Sequence, residues 1–129
     1  MRNLITGGAG FIGKNLIQKL LELNQNVICL DNFSTGLKSN LKKWQTNPLF
    51  EYVEHDITNP IDINADRIWH LACPASPYYY QKDPIKTSKI NFLGTFNALE
   101  IARNNKARIL FTSSSEIYGN SKNNIKSEN

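Results

Sequence analysis

Cysteine and histidine are scarce in this chain, with two of each among 129 residues. Cys29 and Cys73 have no metal-type spacing, and His55 and His70 are not read as ligands, so no metal is expected. Two cysteines cannot build a disulfide framework. Cys29 lies inside the apolar run Val27-Ile28-Cys29-Leu30, where cysteine acts as a small buried hydrophobe. No apolar stretch approaches the roughly 18 residues that would suggest a membrane span. The opening Met1-Arg2-Asn3-Leu4-Ile5-Thr6 runs directly into a short apolar strand, without the longer apolar region of a secretion leader. A reducing cytoplasm is the expected setting. Strong charge of one sign is missing too. The net charge is +4, and its lysines and arginines (Lys14, Lys19, Lys38, Lys82, Lys106 and Arg108 among them) are scattered. Nucleic-acid binding needs such residues clustered on one face, so it is not expected.

What is present is a regular alternation of strand and helix. Leu4 to Thr6 reads as a first strand. After a Gly-rich turn, Phe11, Ile12, Leu16, Ile17, Leu20, Leu21 and Leu23 recur at helical spacing, and Asn24 and Asn26 end that helix. Asn26 to Leu30 is a second strand, apolar through its centre as a strand covered on both faces should be. A basic helical piece from Leu37 to Gln45 leads past Pro48 to a third strand, Phe50 to Glu54. A fourth strand is expected from Arg67 to Ala72. Pro74 and Pro77 should then keep the chain out of strand and helix. One long helix is expected from Pro84 to Asn104, with Ile90, Phe92, Leu93, Phe96, Leu99 and Ile101 as its apolar positions. A fifth strand, Ala107 to Thr112, runs into Ser113-Ser114-Ser115. His70, beside Trp69, reads as a satisfied structural histidine. Strands separated by helices imply parallel pairing, and the expected architecture is α/β, a doubly wound sheet in the order 3-2-1-4-5. Residues 1–119 form one unit in this reading, followed by a polar tail over 120–129.

The most informative segment is Thr6-Gly7-Gly8-Ala9-Gly10-Phe11-Ile12-Gly13. It holds G-x-G-x-x-G as Gly8, Gly10 and Gly13, and a second glycine series as Gly7, Gly10 and Gly13. Dinucleotide chemistry needs glycine here for a tight turn, for close approach of backbone to a pyrophosphate, and for close helix packing. The following helix N-terminus offers free N–H groups to phosphate. Glycines alone could be a plain turn. Here a strand precedes, a helix follows, and Asp31 ends the second strand eighteen positions after Gly13, near the roughly 20 of the dinucleotide fingerprint. A carboxylate at that place accepts ribose hydroxyls and repels a 2′-phosphate, which favours NAD over NADP.

The Gly loop together with Asp31-Asn32-Phe33-Ser34-Thr35-Gly36 resembles the extended short-chain dehydrogenase/reductase superfamily, whose NAD-binding part is a Rossmann fold. Three further segments narrow the resemblance. They are His55-Asp56-Ile57, His70-Leu71-Ala72-Cys73-Pro74-Ala75-Ser76-Pro77 and Thr112-Ser113-Ser114-Ser115-Glu116-Ile117-Tyr118-Gly119. With these the chain resembles the UDP-glucuronate decarboxylase family up to about Gly119. The resemblance implies that Gly7, Gly10, Phe11, Ile12 and Gly13 line the pyrophosphate of NAD. Asp31, Asn32, Phe33, Thr35 and Gly36 would surround the adenosine ribose, Asp56 and Ile57 the adenine, and Leu71, Ala72 and Cys73 the nicotinamide half. Lys89 and Ile90 match helix positions that face ligand, although Lys89 is equally readable as a solvated helix residue.

Ser114 matches the hydroxyl that hydrogen-bonds the reacting sugar oxygen. On residue type alone it is an ordinary strand-end serine. Ser115 stands where related 4,6-dehydratases carry an acid, and Glu116 where epimerases typically lack one, so the Ser-Glu pair fits decarboxylation. The implied reaction oxidises C4 of UDP-glucuronate, loses CO2 from the β-keto acid so formed, and reduces the sugar again to UDP-xylose. Ser114 and Glu116 are the implied catalytic residues, and Lys89 and Ser115 the substrate-binding ones. The family's Tyr-x-x-x-Lys pair would lie beyond this chain. Tyr78 with Lys82, and Tyr118 with Lys122, have the spacing but are set aside for want of a suitable helix. The 129 residues are therefore expected to be an N-terminal fragment without turnover of its own. The full-length protein is expected to be a homodimer, through helices that include the one from Pro84. A sister epimerase or 4,6-dehydratase, and a non-catalytic NAD-binding remnant with strand five as an exposed edge, remain as alternatives.

Overall fold

Alternation within the central strands decides the layers. In β1 (Arg2–Thr6) and β2 (Asn26–Asp31), successive side chains point to opposite faces, and nearly all are buried. Ile5, Val27 and Cys29 go to one face, where they meet Ile17, Leu20 and Leu21 of α1 (Phe11–Glu22), together with Leu41, Trp44 and Phe50. Leu4, Ile28 and Leu30 go to the other, where Ile68, Ile57, Ile101 and Ala102 close the second core. The continuous apolar run of β2 is thus two alternating faces, each covered. This computed structural model describes residues 1–119, apart from the side chains of Ser115 and Glu116. The polar tail assigned to 120–129 lies outside the described residues.

The sheet is parallel, with β3 (Phe50–Glu54), β4 (Arg67–His70) and β5 (Arg108–Phe111) completing the order 3-2-1-4-5, as expected. The register aligns Thr6 with Leu30 on one side and with His70 on the other, so the strand ends come level at one rim. A polar side chain is buried near the start of the central strand. Asn3 is fully buried and satisfied, donating to Gln25 Oε1 and the Asn26 carbonyl while accepting from Trp69 Nε1.

Helix ends follow local chemistry. Asn24 adopts a left-handed conformation (φ 53°) and closes α1 through its own N–H to Leu21 O and that of Gln25 to Leu20 O. The same closure recurs with Lys106 (φ 52°) after α4 (Thr95–Asn105). The basic piece between β2 and β3 is a 3-10 helix, Lys38–Trp44, rather than an α-helix.

One expectation about the helices is corrected and another refined. Pro77 does not bar a helix but begins one, α2 (Pro77–Lys82), because at the first helical position its missing N–H costs nothing. Tyr78 and Lys82 therefore do share a helix, an exposed one remote in sequence from β5. The long helix from Pro84 is present and unbroken to Asn105, but it is not uniform. It runs as α3 (Pro84–Lys89), a π-turn (Ile90–Gly94) and α4. Its buried face is made of Ile90, Gly94, Asn97, Ala98, Ile101 and Ala102, whereas Phe92, Phe96 and Leu99 point outward. The fourth strand stops at His70, two residues early, although the Leu71 N–H still bonds Thr6 O. At the rim edge of the sheet, Leu110 and Phe111 of β5 are exposed.

Helix α1 reaches the sheet only where Gly8 leaves room. A methyl there would stand 2.5 Å from Cys29 Sγ and 3.3 Å from Ile17 Cδ1. Burial, with the Asp31 charge adding to it, pushes the Cys29 thiol up to about 12, so it is a neutral packing group. Gly8→Ala should destabilise the chain by about 1–3 kcal/mol through overpacking. Adding Cys29→Ala should recover part of that loss. Urea denaturation of the two variants and the wild type measures both, and no recovery would show that the strain is not at this contact.

Candidate functional site

In an open parallel sheet, ligands bind beyond the carboxyl ends of the strands, where the strand order reverses. Here that reversal falls between β1 and β4. The chain leaving β1 turns at Gly7, in the left-handed region (φ 72°). A Cβ at Gly7 would lie 3.0 Å from the Ala72 backbone, so the loops after β1 and β4 touch main chain to main chain. A Cβ on Gly13 would stand 2.5 Å from Gly8 Cα and 2.6 Å from Gly7 O, so the first turn of α1 lies directly on the loop. No side chain caps α1, and Gly10 occupies the cap position in an extended conformation. Phe11 and Ile12, in that first turn, are exposed beside it. The result is an uncapped helix end over a loop of glycine backbone, which suits an anion such as a pyrophosphate.

Asp31 ends β2 and is 8% exposed. Its Oδ2 accepts from the Ala9 N–H at 2.9 Å and its Oδ1 from the Phe33 N–H at 2.8 Å. The residue expected only as a ribose acceptor therefore also ties the Gly loop to the loop after β2. Phe33 holds a left-handed conformation (φ 54°) that bulky residues rarely adopt. Tyr52 meets its ring edge-on at 6.1 Å, and Lys38 Nζ lies 4.9 Å over it. Thr35 is exposed at the same loop, and Gly36 is buried against Ala9 and Asp31.

Asn32 links this loop to the next by donating to Asp56 Oδ2. Asp56 Oδ1 accepts from the Thr58 N–H and hydroxyl. Burial acts to raise the Asp56 carboxyl. The Thr58 and Asn32 hydrogen bonds and the Lys86 charge outweigh it and hold the group below its ordinary value of 3.8. Ile57 is also at this rim, but its side chain belongs to the core and its carbonyl accepts from Asn97 Nδ2 at 2.7 Å.

After β4, the Leu71 and Ala72 N–H groups both donate to Thr6 Oγ1, at 3.2 and 3.3 Å. The exposed Cys73 donates its thiol to Asn91 Oδ1, and burial raises that thiol above 9.0. Ser114 follows β5, exposed, and its carbonyl accepts from the Ile117 N–H. Ser115 and Glu116 open a 3-10 turn, Ser115–Tyr118, but their side chains lie outside the described structure.

The structure thus gathers the calls on β1, β2, β3, β4 and β5 at one rim, with two departures. Lys89 is exposed and lines an open groove with Pro84, Ile85, Ser88, Phe92 and Leu93, not with the strand-end residues. Ile90, its neighbour, is buried in the core. Sequence reasoning missed Thr6, Lys38 and Tyr52 as supports of the rim. Thr6 alone stood inside a quoted motif, and Lys38 and Tyr52 carry no local signal, because their partner is sixteen or more residues away or a ring on another element. Among the described residues, no group of three or more His, Cys, Asp or Glu side chains could hold a metal ion.

The pattern of the family described as GDP-mannose 4,6 dehydratase matches residues 4–129. The chain is 56% identical over 120 residues to UDP-glucuronic acid decarboxylase 3 of Arabidopsis thaliana, covering 92% of this chain and 35% of that protein. It therefore spans about a third of the length of the curated relatives it matches. Among solved structures, a UDP-galactose 4-epimerase superposes with a TM-score of 0.82 at 35% identity, covering 96% of this chain and 42% of the other. A dTDP-glucose 4,6-dehydratase from Streptomyces venezuelae, solved with NAD bound, gives 0.86 at 28% identity, covering 95% and 42%.

Asp31→Asn keeps the shape but turns an NH2 toward one of two buried N–H donors, leaving it unsatisfied. The expected loss is about 1–3 kcal/mol. Glu100→Gln, which removes only an exposed ion pair with Arg103, should cost less than about 1 kcal/mol. Equal losses in guanidinium titrations would show that Asp31 does not hold the two loops together.

Proposed function

The chain belongs to the family described as GDP-mannose 4,6 dehydratase, and from that membership and the geometry of the rim we infer that it is the NAD-binding part of a nucleotide-sugar enzyme that decarboxylates UDP-glucuronate to UDP-xylose. The observation that carries the cofactor is the uncapped α1 terminus lying on the Gly7–Gly13 backbone, packed so closely that a Cβ at Gly7 or Gly13 would collide with main chain. The solved dehydratase neighbour with NAD supports it. The substrate rests on the likeness to the Arabidopsis decarboxylase.

In this reading, the backbone from Gly10 to Gly13 holds the pyrophosphate. Asp31 has lone pairs left beyond its two N–H bonds and accepts ribose hydroxyls, with Asn32, Phe33, Thr35 and Gly36 closing around them. Asp56 and Ile57 border the adenine, and Leu71, Ala72 and Cys73 the nicotinamide. Bound there, NAD supplies reversible hydride acceptance at one sugar carbon. The Ser114 hydroxyl orients the C4 oxygen of the sugar, and Glu116 handles a proton as CO2 departs. Ser115 borders the sugar. Lys89 belongs to the substrate side only if the groove it lines continues to the sugar. An epimerase or a 4,6-dehydratase is the second reading, favoured by the solved neighbours.

Two further parts of the proposal have their own support. The outward Ile85, Phe92, Phe96 and Leu99 along α3, the π-turn and α4 fit a second copy of the chain, and a monomer in light scattering of the longer protein would remove that part. The free thiols of Cys29 and Cys73 fit a reducing cytoplasm, which localisation of a tagged protein tests. No helix among the described residues is long and apolar enough to cross a membrane.

Titration of the 129-residue chain with NAD+ and NADP+ should give binding of the first and at least about tenfold weaker binding of the second, through repulsion of a 2′-phosphate by Asp31. Equal affinities would overturn the assignment of Asp31. The chain alone should not turn over. The longer protein that carries it should release CO2 from UDP-glucuronate. Ser114→Ala should lower its kcat by about 10²–10⁴-fold while leaving NAD affinity unchanged. Epimerised product without CO2 would establish the second reading instead.

A further inference from the structure

We propose that His70 is a positioning residue for the cofactor rim: as the neutral ring with its proton on Nε2, it orients the Thr6 hydroxyl so that this oxygen holds the Leu71 and Ala72 amides. The inference deepens the dinucleotide reading above and rests on it for its effect on ligand.

The argument is a count of donors and acceptors. A threonine hydroxyl has one proton and two lone pairs. At Thr6 the oxygen accepts from the Leu71 N–H at 3.2 Å and from the Ala72 N–H at 3.3 Å. Its remaining capacity is its own proton, and the atom facing it is His70 Nδ1 at 2.8 Å. Nδ1 must therefore accept, which places the ring proton on Nε2. That nitrogen faces Thr95 Oγ1 at 3.4 Å, in the first turn of α4. The Leu71 N–H is shared with Thr6 O, whereas the Ala72 N–H goes to Oγ1, and the chain of bonds runs from α4 through His70 and Thr6 to the loop after β4.

A cationic ring breaks this order. It would present an Nδ1–H to an oxygen that already accepts two donors, so the hydroxyl would have to release one of the amides. The ring has no escape to water, since His70 is 3% exposed. It stacks on Phe111 of β5 at 5.9 Å, and a Cβ on Gly94 of the π-turn would come within 3.9 Å of its Cε1. The groups facing it are thus Thr6 from β1, Phe111 from β5, Gly94 from the π-turn and Thr95 from α4, none of them charged or titratable. The titratable group on the loop it supports, Cys73, gives its proton to Asn91 instead. Burial alone lowers the His70 value from 6.5. The folded state thus disfavours the proton. The bonded arrangement is fully present above pH 6.5 and is lost as the pH falls through the depressed folded value.

Nitrogen-15 spectra of the ring need no substitution, and in the wild-type chain at pH 7.5 they should show Nδ1 unprotonated and Nε2 protonated. The opposite tautomer would overturn the proposal. His70→Asn keeps an acceptor near the place of Nδ1, and His70→Leu removes it. Amide exchange at Ala72 should be at least about tenfold faster in His70→Leu than in the wild type, with His70→Asn close to wild type and Leu71, still held by Thr6 O, changing less. NAD affinity should fall by about tenfold in His70→Leu and be retained in His70→Asn. Between pH 7.5 and the pH at which the nitrogen-15 spectra show the wild-type ring protonated, affinity should fall in the wild type but not in His70→Asn. A purely structural role would make both variants fail together and leave the pH profile unchanged, and either result would overturn the proposal. Unaltered exchange in a chain that binds NAD would remove the role of His70 alone. Exchange that follows the ring in a wild-type chain that binds no NAD would leave the positioning established and overturn the dinucleotide reading.

Discussion

Helix α1 can lie on the sheet only because nothing stands between them at Gly8 and Gly13. The limiting distances are to backbone and to a buried sulfur, 2.5 Å in both cases for a methyl that is not there. Every other feature of the rim is placed from this contact. It brings the first turn of α1 over the loop, brings Ala9 within reach of Asp31, and lets the loop after β4 close against Gly7. Two carboxylates and one hydroxyl then fasten four chain segments that sequence alone leaves far apart. Asp31 holds the Gly loop to the β2 loop, Asp56 receives the β2 loop through Asn32, and Thr6 holds the β4 loop. The ion pairs of this chain, Arg2–Glu51, Lys38–Glu54 and Arg103–Glu100 among them, lie on the surface and contribute little by comparison.

The strand order was legible in the sequence because buried parallel strands are short apolar runs and the glycine series marks which strand is central. Asp31 was legible for the same reason, being at a fixed offset from those glycines. The second half of the long helix was not. Of the apolar positions read there, Ile90, Phe92, Leu93, Phe96, Leu99 and Ile101, Ile90 and Ile101 are buried, whereas Phe92, Phe96 and Leu99 point outward. The inward face uses Gly94, Asn97, Ala98 and Ala102, small or polar residues that let the helix come within contact of Ile57 and His70. A hydropathy pattern weighs a phenylalanine above an alanine and so misses such residues when the core is built by close approach. The π-turn was hidden as well, since one extra residue in a turn shifts no apolar residue out of a 3.6-residue period far enough to be noticed.

Among the candidate site residues, those that act through main chain were the easier to read. Glycines announce a backbone function by their type. Thr6, His70 and Thr95 do not, because what they do depends on a register that aligns β1 with β4 across more than sixty residues. His70 was legible as a satisfied histidine, and the identity of what satisfies it was not. At Ile57 and Ile90, positions matched to ligand contacts, the side chains are spent on the core.

The strand order carries a consequence for how the chain is made. β1 is synthesised first but lies in the centre of the sheet, between β2, which follows about twenty residues later, and β4, which begins only at Arg67. As the chain leaves the ribosome, β1, α1, β2 and β3 can assemble with the first core, while Leu4, Ile28 and Leu30 still face water. Their cover arrives with β4 and with α4, the latter ending at Asn105. The nascent half-domain therefore waits with one apolar face open, and long-range parallel pairing is slow to close it. The same central strand that organises the rim in the finished molecule makes the unfinished one most exposed to premature association.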